Sequence, residues 1–129
     1  MPKPPITDEQ LLGWIRDHTL VMYALDTERP QLVFRGRLLK PQLNRQGGKR
    51  VIVGTARWRW KIRYNGSMRS IVCSKLVWMY WHKCLVTEGC VIHHGDKGRL
   101  WDGISNLEEK TDEQHKQYHY GAELSSSFD

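Results

Sequence analysis

Acidic side chains are missing from the middle of this chain. Between Arg35 and Lys83 there are thirteen Lys or Arg residues and no Asp or Glu, whereas the segments on either side carry a net negative charge. A stretch of this kind repels itself, and the partner that best offsets it is a polyanion, most often nucleic acid. The alternative is a basic surface kept for solubility, which does not require the acids to be excluded. Long apolar runs are also missing. None approaches the roughly 20 residues a helix needs to cross a bilayer, so no membrane span is expected. Cysteine is sparse: Cys73, Cys84 and Cys90 cannot all pair with one another, so free thiols in a reducing compartment are expected, with no disulfide framework. The opening Met-Pro-Lys-Pro-Pro has no apolar block of secretory type, and the expected location is the cytoplasm. No repeat of solenoid period is visible, and the only low-complexity tract is Ser125-Ser126-Ser127, expected to be a frayed tail.

Within the acid-free stretch, Arg57-Trp58-Arg59-Trp60-Lys61-Ile62-Arg63-Tyr64 alternates basic and apolar residues. Period two in a strand puts Arg57, Arg59, Lys61 and Arg63 on one face, able to lie along a phosphate backbone, and the aromatic and aliphatic set on the other. Trp58 and Trp60 are read as core, the alternative being exposed platforms for unpaired bases. Asn65-Gly66 has the chemistry of a tight hairpin turn, and Arg69 to Val72 reads as the returning strand. Arg45 and Lys49, in the polar loop Pro41–Lys49, and Arg69 complete the expected DNA-binding set.

Elsewhere, Thr7-Asp8-Glu9-Gln10 has the form of a capping box and predicts a helix to about Asp17. Strands are expected over Thr19–Leu25, Gln31–Leu39 and Arg50–Gly54, and a helix capped by Ser74 over Leu76 to about Lys83.

Four of the six histidines fall between His93 and His119. His93 and His94 end the short apolar run Cys90-Val91-Ile92. Adjacent strand residues face opposite ways, so one ligand and one free base is the natural division. Thr111-Asp112-Glu113-Gln114 repeats the capping-box pattern, so a helix opening at Thr111 would carry His115 and His119 one turn apart, close enough to share an ion. His18 and His82 are read as solvated. A rival set, Cys84, Cys90 and His93 as structural zinc ligands, lacks the short cysteine spacing of zinc knuckles. Buried thiols beside Leu85 and Val91 are the more economical reading.

His93-His94-Gly95-Asp96, Asn106-Leu107 twelve residues after His94, and His115 nine after Asn106 together resemble the HNH endonuclease family, in its phage and homing branch. The likeness covers about Arg69 to Gly121. It departs where Trp101-Asp102 stands for a frequent Asn-Asn and Gly103 for a frequent basic residue. The resemblance implies an α+β protein, with a basic β-rich N-terminal portion (1–70) followed by a ββα-metal unit (71–129), the two able to pack as one domain. It implies that His94 is the general base, that His93 and His115 bind a divalent metal, and that Asn106 holds the loop that orients His94. His119 as a further ligand rests on helical spacing. Asp96 could orient an imidazole or cap the loop. The expected activity is metal-dependent hydrolysis of phosphodiester bonds in DNA, duplex DNA foremost, with Mg²⁺ or Mn²⁺ in function and Zn²⁺ or Ni²⁺ suited to imidazole ligands in a crystal. The setting for a phage-borne member would be the host cytoplasm. The alternative is a catalytically silent DNA-binding protein that keeps its metal as structure. An RNA nuclease would share the same residues.

Overall fold

The computed structural model describes residues 6–43, 57–111 and 113. Thr7 opens α1 (Asp8–Arg16) with both halves of the capping box: its hydroxyl accepts the Gln10 N–H at 3.1 Å, and its own N–H donates to the Gln10 side chain at 2.9 Å. Leu11, Leu12 and Ile15 follow at helical spacing and are buried.

Two antiparallel hairpins come next. β1 (Leu20–Tyr23) pairs with β2 (Gln31–Phe34), which pairs with β3 (Arg37–Leu39). The single strand expected over Gln31–Leu39 is therefore two, because Arg35 and Gly36 both take positive φ (51° and 80°) and reverse the chain in a two-residue turn. β4 (Gln42–Leu43), expected as loop, pairs with β5 (Trp58–Tyr64), and β5 pairs with β6 (Ser67–Val72) across Asn65-Gly66, whose φ values are 50° and 76°. The strand expected over Arg50–Gly54 lies outside the described residues, as do Arg45 and Lys49.

The alternation in β5 has the expected effect. Trp60 and Ile62 are fully buried, while Lys61 and Arg63 are exposed. Trp58 is only half-buried, with the Arg29 guanidinium 4.9 Å from its ring centroid. Register separates the expected phosphate contacts. Arg63 stands opposite Met68 and Lys61 opposite Ser70, but Arg69 stands opposite the core residue Ile62 and shares its face.

α2 (Cys73–His82) begins directly after β6. Ser74, expected as its cap, lies inside the helix and is buried; Val72 takes the capping position without a side-chain hydrogen bond. Burial of Leu76, Val77 and Met79 holds the helix in place of a cap, and Lys83 ends it in the left-handed conformation. The buried cluster joins α1, β1, β2, β5 and α2, and so draws on both sides of residue 70. β7 (Cys90–His94) and β8 (Leu107–Thr111) form a separate two-stranded sheet, joined by a loop that ends in a 3₁₀ turn at Ile104–Asn106. Thr111, expected to open a helix, ends β8, and Glu113, the next described residue, is helical. The architecture is α plus β, with two helices and small antiparallel sheets.

Candidate functional site

The site is built on the loop between β7 and β8. Register places His94 opposite Leu107 at the end of the pair, and the Gly95 N–H donates to the Asn106 carbonyl at 2.8 Å, closing the loop at its neck. The Asn106 side chain then spans the loop from inside. Its Oδ1 accepts the Lys97 N–H at 3.1 Å, and its Nδ2 donates to the Gly98 and Trp101 carbonyls at 3.0 and 2.9 Å. Three of the carboxamide's hydrogen-bonding positions are thereby used on backbone, which fixes where residues 97 to 101 can go.

This arrangement delivers Asp102 to His94. His94 Nε2 lies 2.7 Å from Asp102 Oδ1, with the two side chains only 5% and 2% exposed. The imidazole's carboxylate partner is Asp102, eight residues on; Asp96, for which orienting an imidazole is one of two readings, is exposed. With the carboxylate as acceptor, the ring N–H of a neutral imidazole is on Nε2 and the lone pair on Nδ1.

Contacts from the N-terminal half hold the loop from behind. The Asp102 N–H donates to the Glu28 carbonyl at 2.9 Å and the Ile104 N–H to the Leu25 carbonyl at 2.7 Å. Asp26 Oδ1 accepts both the hydroxyl and the N–H of Ser105, at 2.5 and 3.1 Å. Those two bonds, the hydroxyl first, hold the Asp26 carboxyl below its ordinary value. Gly103 is required by the same packing, since a Cβ there would sit 2.6 Å from the Thr27 carbonyl oxygen.

His94 lines a cavity of about 480 Å³ shared with Asp8, Arg57, Lys75, Thr87 and Cys90. Lys75 is paired with Asp8 at 2.7 Å. The Thr87 N–H donates to the Glu109 carboxylate at 3.0 Å, which ties the segment before β7 to β8. Cys73, at the start of α2, is fully buried, and its thiol is pushed up first by that burial and then by the Asp102 charge. Cys84 is exposed and Cys90 half-buried, so neither is the buried thiol its apolar neighbours suggested.

His93 faces the other way from His94, as strand geometry demands, and is also buried. His115 and His119 lie outside the described residues, and among the described residues no three His, Cys, Asp or Glu side chains are grouped to hold an ion.

Sequence reasoning missed Asp102, Lys75 and the Leu25–Glu28 support. Asp102 had left a signal: a carboxylate in place of a carboxamide of the same shape can serve the same acceptor role toward an imidazole. Lys75 and the supporting loop are brought in by tertiary packing alone. Comparisons of the chain with protein-family models, curated proteins and solved structures return no match.

Proposed function

We propose that the protein is a metal-dependent endonuclease that hydrolyses phosphodiester bonds in DNA, with His94 as general base. The observation that carries this is the buried His94–Asp102 pair at 2.7 Å beside a cavity that also holds Arg57 and Lys75. Asp102 retains the proton on Nε2, so Nδ1 is the nitrogen that takes a proton from water, and the carboxylate offsets the charge the ring acquires. Arg57 and Lys75 are placed to receive a phosphate, Lys75 by exchanging its Asp8 partner for the substrate. The role of Asn106 is to hold the loop that presents Asp102.

The resemblance to HNH endonucleases, which covers about Arg69 to Gly121 and includes β7 and β8, supports the same assignment. His93 is the described member of the metal set, which His115 and His119 would complete. When bound, a divalent ion supplies stabilisation of charge on the phosphate and the leaving oxygen. Arg59, Lys61 and Arg63 form the phosphate-facing row.

Supercoiled plasmid incubated with the full chain and Mg²⁺ or Mn²⁺ tests the proposal. Nicking that is lost in His94→Ala and kept in His18→Asn is the expected result; His18 is exposed at positive φ, which Asn tolerates. No cleavage with any divalent ion would leave a DNA-binding protein instead, and cleavage of RNA alone would move the substrate class.

A further inference from the structure

A second cavity, of about 420 Å³, opens between the tips of the two hairpins and is lined by Phe34, Arg35, Arg37, Leu39, Arg63 and Met68. Three of its six lining residues are guanidinium-bearing and three are apolar; none is acidic. Among the described residues, none of these arginines is in an ion pair, and the Arg35 guanidinium lies over the Phe34 ring at 5.1 Å. The volume falls within the range of small-ligand sites.

The turn supplies an independent observation. Arg35-Gly36 and Asn65-Gly66 make the same two-residue turn, with first-position φ values of 51° and 50°. That position favours Asn or Gly, and the second hairpin uses Asn65. An arginine in the first hairpin bears a backbone cost its counterpart avoids, and such costs collect at functional positions. Its guanidinium is what the turn gains.

We propose that this cleft binds an unpaired nucleotide of a nucleic-acid strand. The three arginines hold its phosphate and the apolar lining receives the base. A paired base has no free face to offer Leu39 and Met68, the accessible part of that lining, while Phe34 is buried in the core beneath them. Arg63 also ends the basic row of β5, so the cleft continues the surface along which the strand would lie. This rests on the nucleic-acid part of the proposed function and not on hydrolysis.

Fluorescence anisotropy with the full-length His94→Ala chain provides the test. The probes are a blunt duplex, the same duplex with a short single-stranded overhang, and that overhang made abasic. The overhang should bind about ten-fold tighter than the blunt end, and the abasic probe should lose most of the gain. Arg35→Asn should abolish the preference while leaving Tm unchanged or higher, because Asn suits the turn; Arg63→Gln should weaken the preference from the other hairpin. Equal affinity for the three probes, or a preference that survives Arg35→Asn, overturns the proposal. Competition by free nucleotide as strong as by the overhang overturns the strand assignment. Plasmid nicking by the unmutated chain separates the two readings. Preference without nicking removes the nuclease and keeps the cleft, while nicking without preference does the reverse.

Discussion

A histidine buried against a carboxylate is useful chemically only while both partners are present. Removing one leaves the other desolvated and unpaired, at a cost of about 1–3 kcal/mol. Asp102→Ala should therefore lower Tm and also reduce the nicking rate by roughly 10- to 100-fold with KM unchanged, since Asp102 orients His94 and touches no substrate. Asp102→Asn keeps an oxygen acceptor of the same shape and should retain more activity than the alanine variant. His94→Ala should cost more, about 10²- to 10⁴-fold. Single-turnover nicking at saturating and limiting DNA separates these effects; an Asp102→Ala chain that changed only KM would assign the carboxylate to binding. The thiols give a second residue-scale prediction. Burial and the Asp102 charge disfavour the Cys73 thiolate, so alkylation at mildly alkaline pH should label Cys84 first, Cys90 more slowly and Cys73 only on unfolding, as read by peptide mass. The sequence singled out His94 and Asn106, and offered Asp96 either as the imidazole's partner or as a loop cap; the carboxylate at the ring is Asp102. Asp96 is nearer along the chain, yet residue 102 is the one that returns to the ring, because Asn106 folds the intervening loop back on itself.

Elements defined by local patterns were legible, and those defined by what packs over them were not. The capping box at Thr7 and the alternation in β5 each name their own structure, because the hydrogen bonds and faces involved lie within a few residues. Ser74 was misleading, since α2 is held by its buried face and needs no cap. Arg35-Gly36 was missed because arginine is a poor marker for a turn that favours Asn. The segment from Leu25 to Glu28 shows the same limit: nothing local says that it braces the loop carrying Asp102. Two variants test that brace. Gly103→Ala places a Cβ against backbone at Thr27 and should cost about 1–3 kcal/mol while slowing nicking through the displaced Asp102. Gly13→Ala, in α1 with nothing near its added Cβ, should instead stabilise by up to about 1 kcal/mol. The bonds from Ser105 depress the Asp26 carboxyl, so their contribution is fully present above the unfolded value near about pH 4 and fades as pH falls through the lower folded value. Asp26→Asn should accordingly lower Tm at neutral pH by an amount that vanishes in acid. A Tm deficit that stayed constant down to pH well below 4 would mean that the ionised carboxylate contributes nothing there.

At the scale of the whole molecule the charge pattern becomes a surface. Arg57, just before β5, lines the cavity of His94, and Arg63, six residues on in β5, lines the cleft between the hairpins, a span of roughly 20 Å of extended chain. At 3.4 Å per phosphate along one strand of a duplex, that spans about six nucleotides. A row that neutralises about five phosphates should give a log affinity against log salt slope of roughly −4 to −5. The register makes the prediction selective. Lys61→Gln and Arg63→Gln should each reduce the slope by about 0.9 with Tm unchanged, because both side chains are exposed. Arg69→Gln should leave the slope as it was, because Arg69 lies on the face of Ile62 and away from that row. If Arg69→Gln flattened the slope as much as Lys61→Gln, the DNA would have to reach both faces of the hairpin. Since Trp60 and Ile62 occupy one of them as core, that result would overturn the assignment of the phosphate contacts to a single face of the hairpin.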